Sequence, residues 1–324
     1  MKSTAKILMA LSVLSACSTR EAPDKAFYQM AQGRLPVANV SLNIPGLGPC
    51  TDNPDRMLHL DSSKPINVLV HGCFGSSGQF RALAQVFAFQ GQQSACFTYD
   101  DRANLTTSAT ELRNAVNQLS SQTQAPLITV IGHSQGALIA RKSLTELPLE
   151  ISPSRQADLR LVTISGPFGG IASAETCGKT WLYPLTLGLL PLSCHLVTGE
   201  KWKDITYSSR FILEPGELVQ QVNQYLKIDT DERNSCRRLE NGRCVEDDFI
   251  FSMNEQFNPK VAADSRTKRV EILAGHVEIV GDKRVAPVKL ISLLQAQGIL
   301  EPSEPERQSS FDKMLNKVYM VGHF

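Results

Sequence analysis

The 324-residue chain predicts an α/β fold, a mostly parallel sheet flanked by helices. Three observations carry this expectation. Short β-branched runs such as Ile66–Val70, Leu127–Ile131 and Leu159–Ser165 show little polar alternation, as strands buried on both faces do. Stretches with apolar residues at helical spacing separate them. Hydrophobic residues make up 42% of the chain and charged residues 20%, enough for a large single core. The 33 basic and 32 acidic residues leave a net charge of +1, so nothing marks a nucleic-acid partner. No uncharged apolar run reaches the length of a membrane-spanning helix.

The N-terminus reads as an address. Lys2 and Lys6 precede the apolar Ile7–Val13, and Leu14-Ser15-Ala16-Cys17 follows, the charged, apolar and small-residue order of a signal peptide. The tetrapeptide resembles a bacterial lipobox, which implies that Cys17 is lipidated and becomes the first residue. Ser18 in place of Asp implies the outer membrane by the same resemblance. Removing residues 1–16 takes away two lysines and no acids, leaving a formal charge of −1. Anchoring is therefore expected through acyl chains rather than a basic surface. Residues 17–40 read as a tether.

The alternation of elements begins at Ile66. Ile66–Val70 is a strand, and Phe80, Leu83, Val86 and Phe87 mark a helix over 80–90. Ala95–Tyr99 is a strand. Leu112, Val116 and Leu119 share a face of a helix over 107–119. Leu127–Ile131 is a strand, 137–147 a helix stopped before Pro148, and Leu159–Ser165 a strand. Phe249–Ser252 and Val270–Leu273 are expected as later strands. Pro287 opens a closing helix to Gln297. Residues 41–300 then form one domain, and 301–324 a C-terminal tail. Sheets of this kind bind ligands beyond the carboxyl ends of their strands, so chemistry is expected after Val70, Ile131, Ser165, Ser252 and Leu273.

Gly132-His133-Ser134-Gln135-Gly136 stands between a strand and a helix, the context a nucleophile elbow requires. The chain must reverse there in very few residues, which favours glycine on either side of Ser134. From here the sequence resembles the α/β-hydrolase family, its lipase and esterase branch, over Ile66 to Gly298. The resemblance implies a Ser…acid…His order and an oxyanion hole. His71-Gly72-Cys73-Phe74-Gly75 matches the family's oxyanion loop, which implies backbone donors at Cys73 and Gln135. Cys73 either uses only its backbone or is bridged to Cys50 or Cys96. Of six histidines, only His276 follows a late strand, and it is the expected base. The family's acid follows the penultimate strand. With Phe249–Ser252 in that place the acid falls on Glu255, with Asp264 and Asp204 as alternatives.

Residues 166–203 form an insertion whose centre, Trp181–Leu192, is uncharged and mostly apolar. By resemblance it is a lid or cap, either mobile or packed on the core. Of eight cysteines, Cys236 and Cys244 flank an Asn241-Gly242 turn and are expected to pair. Cys177 and Cys194 form a second candidate pair. No metal cluster or cofactor motif is present. The expected activity is hydrolysis of carboxylic esters, lipid or acyl esters above all, through an acyl-serine. An acyltransferase or thioesterase on the same triad, or a non-catalytic lipid- or partner-binding lipoprotein, stands as the alternative.

Overall fold

The computed structural model describes residues 34–73, 75–145, 157–174, 199–282 and 284–319. Its strands are β1 (Val40–Leu42), β2 (Leu47–Gly48), β3 (Leu58–Leu60), β4 (Ile66–Val70), β5 (Gln93–Phe97), β6 (Leu127–His133), β7 (Asp158–Ile164), β8 (Val222–Asp231), β9 (Cys236–Glu240), β10 (Arg243–Asp247) and β11 (Thr267–Leu273). Its α-helices are α1 (Arg81–Phe89), α2 (Leu105–Gln122), α3 (Gln135–Ser143), α4 (Arg210–Leu213), α5 (Met253–Gln256), α6 (Pro259–Ala262), α7 (Val288–Ala296) and α8 (Gln308–Tyr319).

Seven strands form the central sheet in the order β11-β8-β7-β6-β4-β5-β2. Every pairing is parallel except β2 with β5. The strands are apolar on both faces because both faces are covered. Ile66, Val68 and Val70 of β4 pack with α2 and α3, while Leu69 packs with α1, α7 and α8 on the other side. Asn104 starts α2 by accepting hydrogen bonds from the Thr106 and Thr107 amides, at 2.9 and 3.3 Å.

Three expectations change. Phe249–Ser252 is not a strand: its backbone is bound by side chains instead, and the strand beside β11 is β8. The presumed tail contains α8, whose Phe311, Leu315 and Tyr319 are buried, with Phe311 set against Phe89 of α1. Residues with that packing belong to the core. Helix α3 ends at Ser143, short of the stop expected at Pro148. The expected signal peptide, Cys17, Cys177, Cys194 and the apolar centre of the expected insertion lie outside the described residues.

Cys50 is bridged to Cys96, and Cys236 to Cys244 across the β9–β10 hairpin. Asn241 and Gly242 both take positive φ, 51° and 76°, as a two-residue turn demands. Cys73 is in neither of these bridges.

Candidate active site

Ser134 sits between β6 and α3 with φ 56° and ψ −125°, a strained conformation for a residue with a side chain. Its neighbours explain the two glycines. A Cβ on Gly132 would stand 2.3 Å from the Gly136 carbonyl oxygen, and one on Gly136 would stand 2.3 Å from those of Val70 and His71. Such contacts are backbone against backbone and cannot be relieved by a rotamer change. The turn therefore brings the end of β4 against the start of α3. Gly72 approaches so closely that a Cβ there would lie 3.0 Å from that of Ser134.

The expected oxyanion donors flank this point. Gln135 is the first residue of α3, where amides are free of intrahelical partners and the helix dipole is positive. Its side chain donates to the Asp101 carbonyl at 3.2 Å. The Cys73 thiol accepts from the Lys201 ammonium at 3.0 Å. His71 stacks on Tyr99, whose hydroxyl donates to the His71 carbonyl at 2.8 Å. Burial lowers the His71 pKa, so it is a neutral, structural part of this loop.

His276 lies on the loop after β11. Its Nδ1 is 2.8 Å from Glu232 Oε1 and 2.9 Å from Ser165 Oγ. Phe251 meets the imidazole edge-on, with ring centroids 4.9 Å apart. On another side lies the ring of His133, the residue before Ser134, at 4.7 Å. His133 donates through Nε2 to the His276 carbonyl at 2.9 Å, and burial holds it neutral. The loop is clamped from below by Asp248. Its carboxylate accepts from the amides of Val277 and Glu278, both at 3.0 Å, and its carbonyl from the His276 amide at 3.0 Å. A Cβ on Gly275 would collide with that carboxylate at 2.0 Å.

Glu232 follows β8 directly, and its side chain is fully buried. Oε2 accepts from the amides of Ile250 and Phe251 at 2.6 and 2.7 Å. Oε1 accepts from His276 and from Ser165. Burial pushes this carboxyl up, but the hydrogen bonds and the His276 charge outweigh it and hold the pKa below the usual glutamate value. The pair is thus an ionised acid on Nδ1 of an imidazole, which fixes the proton on Nδ1 and leaves Nε2 as the basic nitrogen.

Residues 63–150 match the family described as Lipase (class 2). This stretch, a little over a quarter of the chain, is similar to that family. The matched stretch carries the 71–75 loop and the Ser134 elbow. No curated protein matches the sequence. Among solved structures, the mature lipase of Bacillus licheniformis is similar with a TM-score of 0.46 and 13% identity, covering 78% of this chain and 97% of that one. Esterase 2 of Thermogutta terrifontis, phosphoramylated by tabun, has a TM-score of 0.46 and 16% identity, with coverages of 86% and 100%. An esterase of Pyrococcus furiosus has a TM-score of 0.41 and 15% identity, with coverages of 88% and 92%.

The acid expected from the sequence needs correction. Glu255 does not reach His276. Its Oε2 accepts from the Ser252 amide and hydroxyl at 2.8 Å, closing a capping box on α5, and its Oε1 accepts from the Ala172 amide at 2.8 Å. Asp264 pairs with Arg266 at 2.7 Å, and Asp204 accepts from the Leu105 amide at 2.8 Å. In the central sheet the strand that precedes β11 is β8, and the carboxylate that meets His276 is Glu232 at its end. The sequence of β8 disguises it, because Lys227 and Asp229 lie inside the sheet. There the Lys227 ammonium pairs with Asp229 and reaches the Gln256 carbonyl, and Arg269 joins Asp229 at 2.6 Å. The usable signal was the alternation Leu226, Ile228, Thr230 running straight into Glu232.

Proposed function

We propose that the chain hydrolyses carboxylic esters through an acyl-Ser134 intermediate, with His276 as base and Glu232 as the acid that orients it. The observation that carries this reading is the buried Glu232–His276 contact next to the strained Ser134 elbow. Ser134 Oγ attacks the ester carbon while His276 Nε2 takes its proton. The resulting oxyanion is met by the amides of Gln135 and Cys73. The tetrahedral intermediate collapses, and His276 returns the proton to the leaving alcohol. Water then attacks the acyl-enzyme with His276 again as base, and the carboxylic acid departs.

The substrate side is read as an acyl or lipid ester. A cavity of about 330 Å³ lies beside Glu232, lined by Phe249, Phe251 and Met253, with Arg233, Ser252 and Asn254 among its polar residues. That volume suits a small ligand with an apolar part. Attachment to a bacterial membrane through lipidated Cys17 belongs to the same proposal and rests on the lipobox-like Leu14–Cys17. A fluorophosphonate probe, followed by esters of graded acyl length, tests the reading. Labelling confined to Ser134, with ester turnover lost in Ser134→Ala, supports it. An unlabelled protein that turns over no ester rejects it.

A further inference from the structure

The Glu232–His276 pair is held by two hydroxyls that no proton-transfer step of the proposed reaction uses. Ser165 Oγ lies 2.7 Å from Glu232 Oε1 and 2.9 Å from His276 Nδ1. Thr230 Oγ1 lies 2.7 Å from Ser165 Oγ and 2.9 Å from Glu232 Oε1. Both residues are completely buried. The inventory of protons orders these contacts. An ionised carboxylate only accepts, so Ser165 gives its proton to Glu232. Ser165 Oγ then offers its lone pairs to the Thr230 hydroxyl and to Nδ1–H of His276. The imidazole proton is shared between a carboxylate oxygen and a hydroxyl oxygen, both fixed.

The backbone adds a second, independent observation. Ser165 follows β7 with φ 49°, a left-handed conformation that a residue with a Cβ adopts only when its surroundings enforce it. Its amide donates to the Ile228 carbonyl of β8 at 2.9 Å. The residue is thereby locked between β7 and β8, two residues before Thr230 in the facing strand's direction.

We infer that Ser165, backed by Thr230, is a positioning residue that fixes the Glu232 carboxylate and the Nδ1–H tautomer of His276 together. The inference rests on the triad reading above. It separates two jobs on the acid side. Glu232 supplies the charge, and the hydroxyl pair supplies the geometry and moderates that charge. The other titratable groups facing the pair are His133, held neutral by burial, and Asp248, engaged by the Val277 and Glu278 amides. Neither depends on the Ser165 hydroxyl.

The test measures kcat and KM of the full chain on a short-chain ester across pH, with fluorophosphonate labelling in parallel. The variants are Ser165→Ala, Ser165→Gly and Thr230→Val. Ser165→Ala should lower kcat about tenfold with KM nearly unchanged, the effect of one hydrogen bond to a charged group. Without the Ser165 proton, the carboxylate attracts the imidazolium more strongly, so the acid limb of kcat/KM should move up by about half a pH unit. Thr230→Val should shift both readouts in the same direction by less. Joined to Ser165→Ala, it should add little, because the two hydroxyls act in one chain. Ser165→Gly deletes the hydroxyl while relieving the strained φ, so it decides the matter if Ser165→Ala does not fold. Folded variants with wild-type kcat and acid limb overturn the inference, as does a loss of kcat with an unmoved acid limb, which marks a purely structural role. If the wild type is neither labelled nor active, the triad reading fails and takes this inference with it.

Discussion

The elbow around Ser134 and the acid arm around Glu232 are built by opposite means. At the elbow, backbone meets backbone: Gly132 and Gly136 leave no room for a Cβ, and a five-residue signature follows at once. On the acid arm, side chains hold side chains. Glu232 is fixed by Ser165 and His276 and by amides 18 and 19 residues further along, after an intervening hairpin. Backbone constraints restrict residue type at fixed spacing, so they are visible in sequence. Side-chain networks close through space, so they are not.

The largest expected effect sharpens the elbow side. Ser134→Ala and His276→Ala should each lower turnover roughly a million-fold, and the double variant should be no worse, since the two act as a unit. Steady-state rates on a short-chain ester, with circular dichroism as a fold control, check this. Next comes the acid arm. Glu232→Gln should lower kcat roughly ten-thousand-fold, as loss of the acid does in a comparable triad. Glu255→Gln should leave kcat near wild type and weaken the cap of α5, costing about 1 kcal/mol in denaturant unfolding. The opposite ranking would return the acid to Glu255.

The disulfides extend the comparison to stability. Cys50–Cys96 anchors β5 on the elbow side and spans 46 residues; Cys236–Cys244 closes the hairpin of the acid arm and spans 8. By loop-closure entropy, paired serine substitutions should cost about 4 kcal/mol at the first and about 2.5 kcal/mol at the second. Denaturant midpoints measure both. Equal costs would mean that the loop-length account does not apply here.

The smallest effect is on pH. The folded Glu232 pKa is lowered, so its contribution to stability is present above the ordinary glutamate value and is lost as pH falls through the lowered one. The difference in Tm between wild type and Glu232→Gln should therefore shrink on acidification below about pH 4. A difference that stays constant into strong acid would count against an ionised Glu232.

The contrast also explains what was legible. β4, β6, β7 and β11 follow from their apolar runs, α1, α2 and the start of α3 from helical spacing, the Ser134 turn from its strand–turn–helix setting, and His276 from its place after a late strand. β8 was hidden because Lys227 and Asp229, charged in sequence, neutralise each other inside the sheet. Without β8 the penultimate strand falls on Phe249–Ser252, and the expected acid falls on Glu255. α8 leaves little trace in the sequence because its apolar residues Phe311, Leu315 and Tyr319 are few among charges, although they cover α1. Ser165 carried no signal, since its role exists only where β7 and β8 meet the loop after β11.

The most direct measurement is the proton NMR resonance of His276 Nδ1–H, observed at low field in ¹⁵N-histidine-labelled protein. A strong hydrogen bond from this proton to Glu232 predicts a low-field signal in wild type and in Glu255→Gln, and its loss in Glu232→Ala. A signal that survives in Glu232→Ala and disappears in Glu255→Gln would contradict the assignment of the acid arm.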